Sequence, residues 1–171
     1  MAVFNRVFLE KVTLNIGVGE SGAALEAAKT LLKNVSGLNP VQTLAKDRNP
    51  TFKIRKGDAI GAKITLRGKK AEEVLTRALQ SVDKIVSSKS FDDNGNVSFG
   101  IKEYIDFPGL KYDPKIGMMG FDVCLSLRKK GLRVSQRRIA KKKLPRKQRV
   151  SSAEAKAFLE KTYGVSIAGA A

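Results

Sequence analysis

Hydrophobic and polar residues alternate from position 7 to 16 (VFLEKVTLNI), with Val12, Leu14 and Ile16 on one face, and that period of two predicts a strand. Residues 17–22 follow as a glycine-rich turn. The period then changes: Leu25, Ala28, Leu31, Leu32 and Val35 fall on one helical stripe, which predicts a helix over 23–35 with Gly37 as its C-cap. Residues 41–45 read as a short strand. Residues 46–58 (KDRNPTFKIRKGD) carry neither period, contain Pro50 and Gly57, and read as a long loop or loose hairpin. Residues 60–66 (IGAKITL) return as a strand. A second amphipathic helix is predicted over 69–86, with Val74, Leu75, Ala78, Leu79 and Val82 inward.

In the second half Asn94-Gly95 is a hairpin signal, followed by a strand at 97–101. Residues 103–117 are irregular, broken by Pro108, Gly109 and Pro114. Residues 120–127 (GFDVCLSL) alternate cleanly, with Phe121, Val123, Leu125 and Leu127 on one face and Cys124 read as a buried or half-buried small residue. Lys130-Gly131 can turn the chain into residues 132–139, so a second hairpin is expected there. Ser151 and Glu154 have capping-box spacing and open a last helix over 151–164, with Ala155, Phe158 and Leu159 apolar and Gly164 as its stop. Residues 168–171 are expected to fray. The pattern predicts an α+β fold: one mostly antiparallel sheet with two to three helices packed on one face, the other face left free for a partner. Without repeats or a long linker, the 171 residues are expected to form a single domain, with a basic extension at 128–150 and the C-terminal helix after it.

Composition narrows the chemistry. The chain has no His and one Cys, so zinc sites of Cys and His, catalysis by a His base and an internal disulfide are excluded. Neither a secretory signal nor an apolar run long enough to span a membrane is found, and a cytoplasmic protein is expected. The net charge is +17, and it is concentrated. Arg128, Lys129, Lys130, Arg133, Arg137, Arg138, Lys141, Lys142, Lys143, Arg146, Lys147 and Arg149 form a run of twelve basic residues without one acid, and the rest of the chain holds 21 basic against 16 acidic. Twelve like charges repel one another unless a polyanion neutralises them, and nucleic acid is the first candidate.

Three features carry possible binding chemistry. Gly17-Val18-Gly19-Glu20-Ser21-Gly22 matches G-x-G-x-x-G between a strand and a helix, with Asp47 downstream, as a nucleotide-dependent enzyme would require. Glu20 inside the loop would repel a pyrophosphate, and no series of βα units follows. Gly17 and Gly19 can instead serve a tight turn or bring backbone N–H groups to an RNA phosphate. The loop residues Phe52, Lys53, Arg55 and Lys56 set an aromatic among cations, which suits base stacking with phosphate contact. Lys11, Thr13 and Asn15 share one strand face, and Lys63, Thr65 and Arg67 another, giving a polar and cationic platform for RNA. No nucleophile–base pair is present, no cofactor is implied, and a basic membrane-surface protein lacks its apolar helix face.

The residues KVTLNIGVGE (11–20), GLNPVQT (37–43), FKIRKG (52–57) with IGAKITLRG (60–68), NGN (94–96) with GIKE (100–103), Phe107-Pro108, and the closing RVS (149–151) and YGVSI (163–167) resemble, in order, the family of universal large-subunit ribosomal protein number five. The basic extension resembles its archaeal and eukaryotic branch. The resemblance implies a non-enzymatic ribosomal RNA-binding protein of the central protuberance that holds 5S rRNA against large-subunit rRNA beside neighbouring 5S-associated proteins. It implies that Asn15 and Thr65 meet 5S rRNA, that Lys53, Arg55 and Lys56 face peptidyl-site tRNA, and that residues 103–119 face a small-subunit head protein. The sequence departs from many members at Asp58-Ala59, where a proline is common, and at Leu38, where a polar residue is common.

Overall fold

The computed structural model describes residues 6–169. Its elements are β1 (Val7–Gly17), α1 (Ala23–Ser36), β2 (Val41–Leu44), β3 (Ala59–Leu66), α2 (Lys69–Gln80), β4 (Ile85–Ser87), β5 (Asn96–Ile101), β6 (Phe121–Lys129), α3 (Arg133–Gln136), α4 (Ser152–Tyr163) and β7 (Ser166–Ala168). Five strands form one antiparallel sheet in the order β2-β3-β1-β6-β5, and β4 and β7 make a small parallel pair. This is the α+β architecture that the alternation predicted.

One sheet face supplies the core. Val12, Leu14 and Ile16 of β1, Ile64 and Leu66 of β3, and Phe121, Val123, Leu125 and Leu127 of β6 are buried there. Against them lie Leu25, Leu31 and Leu32 of α1, Val74, Leu75 and Leu79 of α2, and Ala155 and Leu159 of α4, all in one apolar cluster. Each large side chain removed from water contributes about 1.5–3 kcal/mol, which is why the two periods in the sequence translate so directly into layers. Gly37 (φ 70°) and Gly164 (φ 65°) close α1 and α4 in the left-handed conformation expected of them. Ser151 and Glu154 form the complete capping box.

Three expectations are corrected. The second helix stops at Gln80, not 86. Asp83 and Lys84 adopt positive φ, Lys84 N–H donates to Leu79 O at 2.8 Å, and Val86 is drawn into β4 beside β7. The C-terminal residues thought to fray include Ala168, which pairs in β7; residues 170 and 171 lie outside the described region. The hairpin expected at 132–139 does not form. Strand β6 is already paired by β1 on one side and β5 on the other, so no edge remains for a returning strand. After Gly131 (φ 101°) the chain makes the single helical turn α3 and then runs without regular structure to a 3₁₀ turn at Arg146–Gln148.

Candidate nucleic-acid interface

The sheet face away from the helices is open. Register fixes its layout: Thr13 lies opposite Thr65, and Asn15 opposite Lys63, on the β3 side of β1. On the other side Lys11 lies opposite Ser126, Thr13 opposite Cys124 and Asn15 opposite Asp122. Lys63, Thr65 and Arg67 are exposed, and Lys11, Thr13 and Asn15 are half-buried among them. The six polar residues singled out in the sequence are therefore brought together as one patch. Short polar groups on a rigid sheet lose little conformational freedom when they bind, and long cations at the rim reach phosphates.

The β6 half of this face went unnamed in the sequence reading, although the same alternation exposes it. Asp122 and Cys124 are exposed, not buried, because Phe121, Val123, Leu125 and Leu127 take the core side. Partial desolvation against the neighbouring strands, followed by the nearby Asp122 carboxylate, pushes the Cys124 thiol above its ordinary value although the residue is exposed. The face is thus cationic over β3 and β1, while β6 carries the Asp122 carboxylate at one end and Arg128 at the other. A phosphate backbone is favoured along the first half.

The two glycines behave differently from a phosphate cradle. Val18 N–H and Gly19 N–H both donate to Ile60 O, at 3.0 and 2.8 Å. Gly19 therefore has no backbone donor to offer a phosphate, a correction to its assignment as an RNA contact, while its φ of 85° explains the glycine. Gly17 lies opposite Gly61, whose missing side chain is required: a Cβ there would sit 2.6 Å from Ile16 O. The dinucleotide reading also fails on topology. In a dinucleotide fold the strand after the first helix lies beside the first strand as its parallel neighbour, whereas here β3 lies between β1 and β2 and pairs antiparallel with both.

The loop after β2 is a built structure. Asn49 and Ile54 exchange backbone hydrogen bonds at 3.0 and 3.2 Å, and Arg55 N–H donates to the Asp58 carboxylate at 2.7 Å. Asp58 thereby fastens the loop base. Phe52 stands at the tip, 71% exposed, with exposed Lys53, Arg55 and Lys56 around it. Residues 103–119 are likewise anchored: Tyr104 and Phe107 are buried, the Tyr104 hydroxyl accepts from Asp113 N–H at 2.8 Å, and Ile105, Tyr112 and Met118 project outward.

Of the twelve residues in the basic run, ten are exposed: Lys130, Arg133, Arg137, Arg138, Lys141, Lys142, Lys143, Arg146, Lys147 and Arg149. Arg128 is half-buried and ion-paired with Glu10. Lys129 is the correction. It is buried, with its ammonium 2.6 Å from Glu154 Oε1, and it fastens β6 to the start of α4 instead of meeting a partner. Burial alone would raise the Glu154 carboxyl, but the Lys129 ammonium and the Ser151 N–H hold it below its ordinary value. Strand alternation carries this signal, since position 129 continues the inward series from 121 to 127.

Fold and charge together describe the class: a strongly basic α+β protein with one open polar and cationic sheet face and an acid-free basic strap. Comparison with known proteins narrows this. Residues 3–55 match the family model described as Ribosomal protein L5, and residues 59–163 match the model for the C-terminus of that same ribosomal family. The chain is 47% identical over 161 residues to Large ribosomal subunit protein uL5 of Methanoregula boonei, covering 94% of this chain and 98% of that one. It is 49% identical over 160 residues to the protein of the same name from Sulfurisphaera tokodaii, covering 93% and 90%. The chain belongs to the ribosomal protein L5 family.

Proposed function

We propose that this chain is a structural protein of the large ribosomal subunit, one RNA-binding unit that seats 5S rRNA on its open sheet face and ties it to large-subunit rRNA through the basic strap. The observation that carries the reading is the register of the face, which sets Lys11, Thr13 and Asn15 beside Lys63, Thr65 and Arg67. Gly17 ends this patch as a site of close backbone approach. Phosphate neutralisation supplies affinity, and the fixed hydroxyl and amide groups supply selection by shape. The family resemblance and the relatives' own names support the ribosomal assignment. In the same reading the loop at 46–58 offers Phe52, Lys53, Arg55 and Lys56 to peptidyl-site tRNA, and residues 103–119 meet a small-subunit head protein. Neighbouring 5S-associated proteins complete the surroundings, and the role has no catalytic step.

The test is binding of 5S rRNA by the Asn15→Ala/Thr65→Ala double variant. Both side chains lie on the open face, so the core and the melting temperature should hold. Losing two hydrogen bonds of about 1 kcal/mol each predicts affinity roughly thirty-fold weaker. Unchanged affinity would remove the sheet face from the site.

A further inference from the structure

Strand β1 contains a bulge between Leu9 and Lys11, where the register to β6 shifts by one residue. Strict alternation from Val12 and Leu14 would aim Glu10 into the core. The bulge aims it instead at the end of the open face, where its side chain is 13% exposed. There its carboxylate stands between two guanidiniums, one just past the end of β3 and one on β6. Oε1 lies 3.6 Å from Arg67 Nη1, and Oε2 is ion-paired with Arg128 Nε. Gln136 Nε2 of α3 also donates to Oε1, at 3.4 Å, which ties the first turn of the basic strap to the same point.

Two guanidiniums drawn together without a carboxylate would repel each other, and each long side chain would sample many rotamers. With Glu10 between them the trio keeps a net charge of +1. Each guanidinium carries five N–H donors, and the contact with Glu10 uses one edge of each. Arg67 remains 61% exposed along its length, so its outer edge is open to a phosphate. We infer that Glu10 is a positioning residue: it sets Arg67 and Arg128 as a convergent pair that places one RNA phosphate at a fixed point on the sheet face, and so contributes to selection between RNAs. This rests on the RNA-binding reading above.

The experiment compares wild type, Glu10→Gln and Arg67→Lys for binding to 5S rRNA and to an unrelated folded RNA of equal length. Positioning predicts that Glu10→Gln binds the unrelated RNA as well as or better than wild type, since a negative charge is gone, while its preference for 5S rRNA falls about ten-fold. Arg67→Lys keeps the charge and loses the planar fork, and the preference should fall by a similar factor. Equal shifts on both RNAs would mean that Glu10 acts through charge alone and would overturn the inference. If Glu10→Gln does not fold, an undiminished preference in Arg67→Lys overturns it and a fall supports it. If wild type shows no preference, the RNA-binding reading fails on its own, and the Arg128 Nε–H signal by NMR in free protein decides. Its loss or displacement in Glu10→Gln supports the clamp, and an unmoved signal overturns it.

Discussion

Single residues decide more here than their position in the alternation suggests. Gly95 turns the chain with φ 76°, and a Cβ there would lie 2.6 Å from Val150 Cβ. Gly95→Ala therefore combines left-handed strain with an overpacked contact, and it should cost about 1–3 kcal/mol of stability, read as a lower melting temperature. A melting temperature unchanged from wild type would contradict that contact. The turn itself was legible from Asn94-Gly95, whereas its tertiary neighbour, 55 positions on, was not. The same division holds on the open face. Thr13, Asn15, Lys63 and Thr65 were legible because alternation fixes the side on which they stand. Glu10 was not, because a bulge breaks the alternation at that point and leaves no local signature in the sequence.

At the scale of elements, the contact between Lys129 and Glu154 joins the end of β6 to the capping box of α4. Glu154→Gln leaves a buried ammonium without its counter-charge. Because Glu154 is itself 42% exposed, the cost is discounted from that of a fully buried pair to about 1–2 kcal/mol. Its pH dependence follows from the direction of the shift. A carboxyl held below its ordinary value of 4.5 binds fewer protons folded than unfolded in acid, so its stabilisation is present above that value and fades as pH falls through the folded one. Urea titrations of wild type and Glu154→Gln should therefore converge as pH is lowered from neutrality through that range. A constant gap would show that the pair is not the source. The main strands and α1 were legible because their faces are buried on one side. Where competition between elements decided the outcome, the sequence misled: Val86 left its helical stripe for β7, and residues 132–139 had no free strand edge to join.

The whole molecule separates its charge from its core. Ten exposed cations of the strap lie where substitution disturbs no packing, while Val150 seats the chain back into the core before α4. Changing Lys141, Lys142, Lys143 and Lys147 to Gln should leave the melting temperature within a degree or two and weaken RNA binding at low salt. If all four meet phosphates, the slope of log K against log salt should shrink by up to about three units. An unchanged slope would show that these lysines stay in solvent. In the proposed reading, specificity is left to the sheet face, with its fixed polar groups and the cations of β3 and β1. The most direct test of this account is binding of the intact protein to 5S rRNA and to an unrelated folded RNA of equal length, at two salt concentrations. The account predicts a large preference for 5S rRNA that persists at the higher salt. Equal binding to both RNAs that collapses together as salt rises would contradict it, leaving only the net charge of +17 at work.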